Sequence, residues 1–239
     1  MNRHLLFALI LFLIFGSCNN KELNILLITS DRKLPSEGFY EMFESFDRKN
    51  YTEVKQPKAN ARIEAGKAND FDVLVFYDLT DSITLSQKEA YMQLLEDGKP
   101  MIFLHHTLVS YQDWPEYTKI IGGKYIRDDS IRGPSTFRHD VDIPVTVIDS
   151  FHPVTKGLSD FIILDETYDK CIILDNVIPL LTTNIESSMP ILSWINKYKS
   201  SEIVYIQTGH DDPAFDNPNY RQLVNQAINI YFFNTLTLF

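Results

Sequence analysis

The chain has 239 residues, 44% apolar, 13% aromatic and 23% charged, a globular composition that excludes disordered and collagenous classes. Its 22 basic residues against 32 acidic ones leave a formal charge of −10. That balance argues against a uniformly basic face for phosphate backbones, so no nucleic-acid partner is expected. Two cysteines exclude a disulfide scaffold and a four-cysteine zinc site.

Residues 1–17 read as an export signal. Arg3 and His4 lead an unbroken apolar run from Leu5 to Phe15, far short of the ~20 residues a helix needs to cross a bilayer core. The run ends in Phe15-Gly16-Ser17-Cys18, which resembles the bacterial lipoprotein processing box. Cys18 is therefore the expected lipidation site, and the mature chain is one domain over 18–239. Asn19-Asn20 after that cysteine, in place of aspartate, point to the outer membrane. The expected location is the cell envelope, lipid-anchored, facing the periplasm or the surface. Cys171 is then unpaired, in the apolar run Cys171-Ile172-Ile173-Leu174, and reads as a small buried hydrophobe.

Along the mature chain, Leu23–Thr29, Val73–Phe76 and Met101–Leu104 are short apolar runs of the kind buried parallel strands show. Glu37–Phe46 carries apolar residues at helical spacing. Ser86-Gln87-Lys88-Glu89 reads as a capping box opening a helix that runs to Asp97, with Gly98 as its stop. Trp114–Ile121 is a short helix ended by Gly122-Gly123, and Val141–Ile148 alternates as a strand. Ile191–Trp194 and Ile203–Gln207 form a strand pair around the turn at Tyr198-Lys199-Ser200, and Asn219–Thr235 closes the chain as a helix. Strand–helix alternation predicts an α/β fold with a mostly parallel sheet flanked by helices. Ligands of such sheets bind beyond the carboxyl ends of the strands.

Polar groups crowd those ends. Ser30-Asp31-Arg32 follow the first strand, Tyr77-Asp78 the second, His105-His106 the third, and Gln207-Thr208-Gly209-His210 the Ile203 run. Histidines and acids arriving at one sheet edge suit acid–base chemistry or a metal. If the strand continued through His105-His106, the two rings would point to opposite faces; if the chain turns there, both reach one site. Gly209 allows a sharp turn that aims His210. No local metal signature is present, so a divalent metal would draw on distant segments such as His105, His106, His139, Glu166 and His210. His152 reads as part of a proline-shaped turn. Asp165-Glu166 taken alone read as a solvated turn, although paired carboxylates also suit acid–base roles.

Several of these segments together carry a family resemblance. They are Phe103-Leu104-His105-His106, Tyr111-Gln112-Asp113-Trp114-Pro115-Glu116-Tyr117, Ile121-Gly122-Gly123, His139-Asp140-Val141-Asp142 and His152-Pro153-Val154-Thr155-Lys156-Gly157-Leu158. Asp165-Glu166-Thr167-Tyr168, Tyr205-Ile206-Gln207-Thr208-Gly209-His210 and Asn217-Pro218-Asn219-Tyr220 complete the set. In this order and spacing they resemble the ThuA-like (trehalose-utilisation) family over nearly the whole mature chain.

The resemblance implies a flavodoxin-like fold of the class I glutamine amidotransferase type. Where amidotransferases of that fold carry a nucleophilic cysteine, this chain has Leu104-His105-His106-Thr107, so glutamine hydrolysis is not expected. Family motifs mark His105, His106, His210 and Glu166 as candidate catalytic residues. Asp31, Tyr77, Trp114, Tyr117, His139, Tyr168 and Gln207 are candidate substrate-binding residues, with Trp114, Tyr117 and Tyr168 as sugar-stacking aromatics. One departure is Ser30-Asp31-Arg32 where the family commonly has a glycine-rich stretch with a histidine; a ligand held by that histidine is missing or replaced by Asp31, which weakens the case for a metal. The implied function is sugar or glycoside utilisation, as a carbohydrate-active hydrolase or isomerase/lyase. The contrasting expectation is a non-catalytic carbohydrate-binding lipoprotein that stacks its ligand on Trp114 and Tyr117. Both leave a homo-oligomer open.

Overall fold

The computed structural model describes the backbone of residues 22–30 and 35–236, with side chains to residue 230. The expected signal, Cys18 and Asp31 lie outside the described residues. Four apolar runs form the centre of the molecule: β1 (Leu23–Thr29), β3 (Val73–Tyr77), β4 (Met101–Leu104) and β11 (Ser201–Ile206). They pair in parallel, and β2 (Lys49–Lys55) adds a fifth parallel strand outside β1. The sheet then continues antiparallel through β10 (Ile191–Tyr198), β9 (Ile178–Thr182), β6 (Thr136–Val147) and β7 (Phe161–Asp169). The nine strands run in the order β2-β1-β3-β4-β11-β10-β9-β6-β7. A separate two-stranded ladder joins β5 (Gly123–Lys124) to β8 (Ile172–Ile173).

The central strands read as predominantly apolar runs because both faces are covered. Ile25, Leu27, Val73, Val75, Ile102, Leu104, Val204 and Ile206 face one layer, built with α1 (Glu37–Glu44), α5 (Asp212–Phe215) and α6 (Pro218–Leu236). Their alternates Leu26, Ile28, Leu74, Phe76, Met101, Phe103, Ile203 and Tyr205 face the other layer. That layer contains α2 (Lys58–Glu64), α3 (Leu85–Glu96) and α4 (Pro115–Ile121). This is the expected flavodoxin-like α/β arrangement.

Two sequence expectations shift. The capping box sits two residues earlier than Ser86-x-x-Glu89: the Thr84 hydroxyl accepts the Gln87 N–H, and the Gln87 side chain accepts the Thr84 N–H. The strand predicted from Val141 begins at Thr136, carried across an irregularity at residues 139–140. Helix α4 ends as expected, with Gly122 at φ 86°. Trp194 Nε1 reaches the Ile121 carbonyl just before it at 2.8 Å.

Candidate active site

The chain turns immediately after β4. His105 adopts φ 39°, a left-handed conformation that is uncommon for a residue with a Cβ. It opens a single 3-10 turn over His105–Val109. Main-chain and side-chain partners hold it there: Tyr205 donates to the His105 carbonyl at 3.1 Å, and His105 Nδ1 donates to the Gln207 carbonyl. The turn answers the question that the sequence left open. Both imidazoles reach one site, with ring centroids 4.5 Å apart.

Strand β7 brings the carboxylates. Its first half alternates between exposed and buried, and from Asp165 to Tyr168 every residue is buried. The solvated turn expected at Asp165-Glu166 is therefore replaced by a buried strand segment. Opposite it, β6 shifts register between Arg138 and Val141, with Asp140 at φ 55°. Such irregularities re-aim side chains, and here His139 Nδ1 lies 3.4 Å from Glu166 Oε1.

The third contribution follows β11. Gly209 adopts φ 108°, and a Cβ there would overlap the Tyr220 hydroxyl, so only glycine fits. The loop is clamped from both sides. The Asp165 carboxylate accepts the N–H groups of Gly209 at 2.6 Å and His210 at 3.0 Å, while Tyr77 donates to the His210 carbonyl at 2.9 Å. Asp165 also accepts the Glu166 N–H at 2.8 Å. Gln207 donates from Nε2 to the Glu166 carbonyl at 2.7 Å, tying this loop to β7.

The three elements converge on a compact cluster. Glu166 Oε2 lies 2.7 Å from His105 Nε2 and 3.1 Å from His210 Nδ1, and those two nitrogens are 3.2 Å apart. The Tyr168 hydroxyl is 3.0 Å from His105 Nε2. The rings of His106 and His139 pack on His210 at 5.2 and 4.8 Å. Exposure rises outward, from 0% at the His105 side chain to 22% at His210 and 51% at His139. The cluster therefore opens to solvent past His210 and His139.

Electrostatics differentiate the groups. Burial acts to raise Glu166, but hydrogen bonds and charge from His105 and His210 outweigh it and hold the carboxyl below its ordinary value. Burial acts to lower His210, and its bond and attraction to Glu166 overcome that and raise it. Burial, reinforced by the neighbouring His105 and His210, keeps His106 well below its ordinary value and hence neutral. Burial raises the Asp165 carboxyl, although His105 and three backbone N–H groups pull the other way. Among the described residues, the four groups able to offer a metal-ligating atom together are His105, His106, Glu166 and His210. Those atoms lie within 4.8 Å of one another.

Some predicted binding residues have other duties. Trp114 and Tyr117 are 7% and 4% exposed, in the helix layer, with their rings stacked on each other at 5.9 Å. The Tyr117 hydroxyl is spent on the Thr107 carbonyl. Both are corrected from stacking platforms to core residues, because no ring face is left for a sugar. Tyr77 is 1% exposed, and its hydroxyl positions the His210 main chain. Tyr168 is buried against His105, and Gln207 is buried beneath the cluster. Cys171 is half-buried, and burial pushes its thiol up to about 12, so it is no nucleophile at neutral pH. Asp165, read from sequence as part of a solvated turn beside Glu166 and not named among the candidate site residues, is buried at the site and holds its loop.

A mixed α/β sheet, parallel through its centre, with a histidine–carboxylate cluster beyond its strand ends defines the class of protein. The family model for ThuA, described as trehalose utilisation, matches residues 25–230, and the chain belongs to that family. A ThuA-like protein from Parabacteroides merdae is similar in structure, with a TM-score of 0.73 and 18% identity over 87% of this chain and 89% of that one. A ThuA-like protein from Bacteroides uniformis gives a TM-score of 0.63 and 17% identity over 88% and 91%. A β-galactosidase from Bacillus circulans sp. alkalophilus gives 0.58 at 8% identity, over 90% of this chain but 31% of that one. At these identities the likeness is one of fold. No curated protein matches the sequence.

Proposed function

We propose that the chain is an enzyme of sugar or glycoside utilisation, acting on a trehalose-type disaccharide or an oxidised glycoside at the cluster of His105, His106, Glu166 and His210. One observation carries this reading. Three imidazoles and a carboxylate, delivered by three separate chain segments, meet where α/β sheets bind ligands. A left-handed His105 backbone and the Gly209 loop bring them there. A structural role alone does not call for this arrangement. His139 and His210, at the open side, are placed to meet the substrate. The purely binding alternative loses its support with the burial of Trp114 and Tyr117. Glutamine hydrolysis is not the reaction proposed, because the chain has Leu104-His105-His106-Thr107 where the resemblance places an amidotransferase cysteine. Export and lipidation at Cys18 belong to the same proposal and rest on the sequence of residues 1–18.

The test is a product screen with disaccharides, including trehalose, and their keto derivatives. The His105→Ala/His210→Ala variant should lose turnover by at least ~100-fold, as expected when groups that act on a proton are removed. Turnover that survives in a folded double variant would refute the assignment.

A further inference from the structure

The cluster presents more electron pairs than hydrogens to fill them. The Gln207 carbonyl can only accept, so His105 Nδ1 carries the ring hydrogen and the neutral ring offers a lone pair at Nε2. That lone pair meets Glu166 Oε2 at 2.7 Å and His210 Nδ1 at 3.2 Å, and the latter two are 3.1 Å apart. Protonating both imidazoles serves their two contacts with the carboxylate. It then sets N–H against N–H along the third edge. The Tyr168 hydroxyl, 3.0 Å from His105 Nε2, supplies a single hydrogen. A cation among the three atoms satisfies every edge at once.

His106 adds independent weight. Its side chain is buried, and its Nδ1 has no hydrogen-bond partner, a costly state for a polar atom. The His106 side chain offers one ring nitrogen within 4.8 Å of the ligand atoms of the other three. Ligands about 2.1 Å from a tetrahedral ion stand about 3.4 Å from one another, against 2.7 to 3.2 Å along the three close edges and at most 4.8 Å across the four groups, so an ion would spread the three close atoms and draw in the fourth. The surrounding shell is also of the metal-site kind: a backbone carbonyl fixes the His105 tautomer, and Asp165 fixes the loop that carries His210.

We propose that His105, His106, Glu166 and His210 bind one divalent transition-metal ion. Three imidazoles and one carboxylate suit zinc and its neighbours rather than calcium or magnesium, which favour all-oxygen sites. The inference rests on the reading of this cluster as the reaction centre. It assigns the centre a Lewis acid able to polarise a sugar hydroxyl or carbonyl.

The full chain, expressed without a polyhistidine tag, would be stripped with chelator, dialysed and titrated with zinc, cobalt and manganese chlorides. Elemental analysis and the visible spectrum of the cobalt form provide the readouts. The expected result is one equivalent of metal per chain. Affinity should fall at least ~100-fold in His105→Ala/His106→Ala and separately in Glu166→Gln and His210→Ala, and be unchanged in His152→Ala. The Glu166→Gln and His210→Ala variants carry the test if the double variant does not fold, with circular dichroism as the check. Less than a tenth of an equivalent of any of the three ions in folded protein, or binding untouched by these substitutions, overturns the proposal. Sugar turnover that persists in chelator also overturns the metal while sparing the sugar reading. Stoichiometric metal with no activity on any sugar or glycoside does the reverse.

Discussion

Asp165 shows how much of this site depends on a residue that need not touch a ligand. Its two oxygens accept three main-chain N–H groups, from Glu166, Gly209 and His210, and so fix a strand end and a loop in one register. Asp165→Asn would keep one acceptor oxygen and turn an NH2 group toward the Gly209 N–H. Leaving a buried donor unsatisfied costs about 1–3 kcal/mol, readable as a shift in the urea midpoint. If Asp165 is a positioning residue, zinc affinity of the folded variant should also fall by about 10–100-fold, the usual penalty for disturbing the support of a metal ligand. A variant that loses stability but titrates with zinc like the parent would show that the clamp serves folding alone. Tyr77 and Gln207 belong to the same supporting set. Sequence reading placed them correctly at strand ends but could not tell a group that faces ligand from one that holds its neighbour.

At the scale of elements, legibility followed burial. Strands β3 and β4 are unbroken apolar runs, and β1 and β11 are apolar apart from Asn24 and Thr29 and from Ser201 and Glu202, because both faces of these strands are covered, so local sequence is enough to find them. Edge strand β2 reads Lys-Asn-Tyr-Thr-Glu-Val-Lys, with Asn50, Thr52 and Lys55 exposed and no residue fully buried, which resembles a polar loop. Strand β7 hides its acids for a different reason. Asp165 and Glu166 are buried by partners far away in sequence, the β6 irregularity and the Gly209 loop, and no local pattern reports this. Nor does sequence announce a left-handed histidine, so the convergence of His105 and His106 awaited the turn itself. Helix α3 gives a direct test of a corrected boundary. Thr84→Ala removes the side chain that accepts the Gln87 N–H and should cost about 1 kcal/mol in chemical denaturation. Ser86→Ala, at the position the sequence pattern favoured, touches only the Thr84 hydroxyl and should cost a few tenths at most. Equal losses would return the cap to Ser86.

Across the whole molecule, the parallel half of the sheet carries a buried carboxyl outside the histidine cluster, whose titration couples to folding. Asp78, just beyond β3, is 2% exposed. Gln56 Nε2 donates to its Oδ2 at 2.9 Å, and its Oδ1 has no partner. Burial pushes this carboxyl up to about 7 from an ordinary 3.8, with the Gln56 bond opposing only part of the shift. Because the native pKa is raised, the native state keeps a proton that the unfolded chain has already released between about pH 4 and 7. The contribution of Asp78 to stability is therefore complete below about pH 4 and is lost as pH rises through about 7. At 1.36 kcal/mol per pK unit the full span is of order 4 kcal/mol. Asp78→Asn retains an acceptor for Gln56 and cannot ionise. Urea unfolding of parent and variant at pH 4, 5.5, 7 and 8 should show the variant gaining on the parent by several kcal/mol as pH rises, most of it before pH 7. Taking the difference cancels the cluster histidines and carboxylates, which titrate alike in both proteins as long as the two regions do not interact. Parallel pH profiles would mean that Asp78 ionises in the fold as readily as in water, and that the buried Gln56–Asn60–Tyr111 network around it solvates the charge.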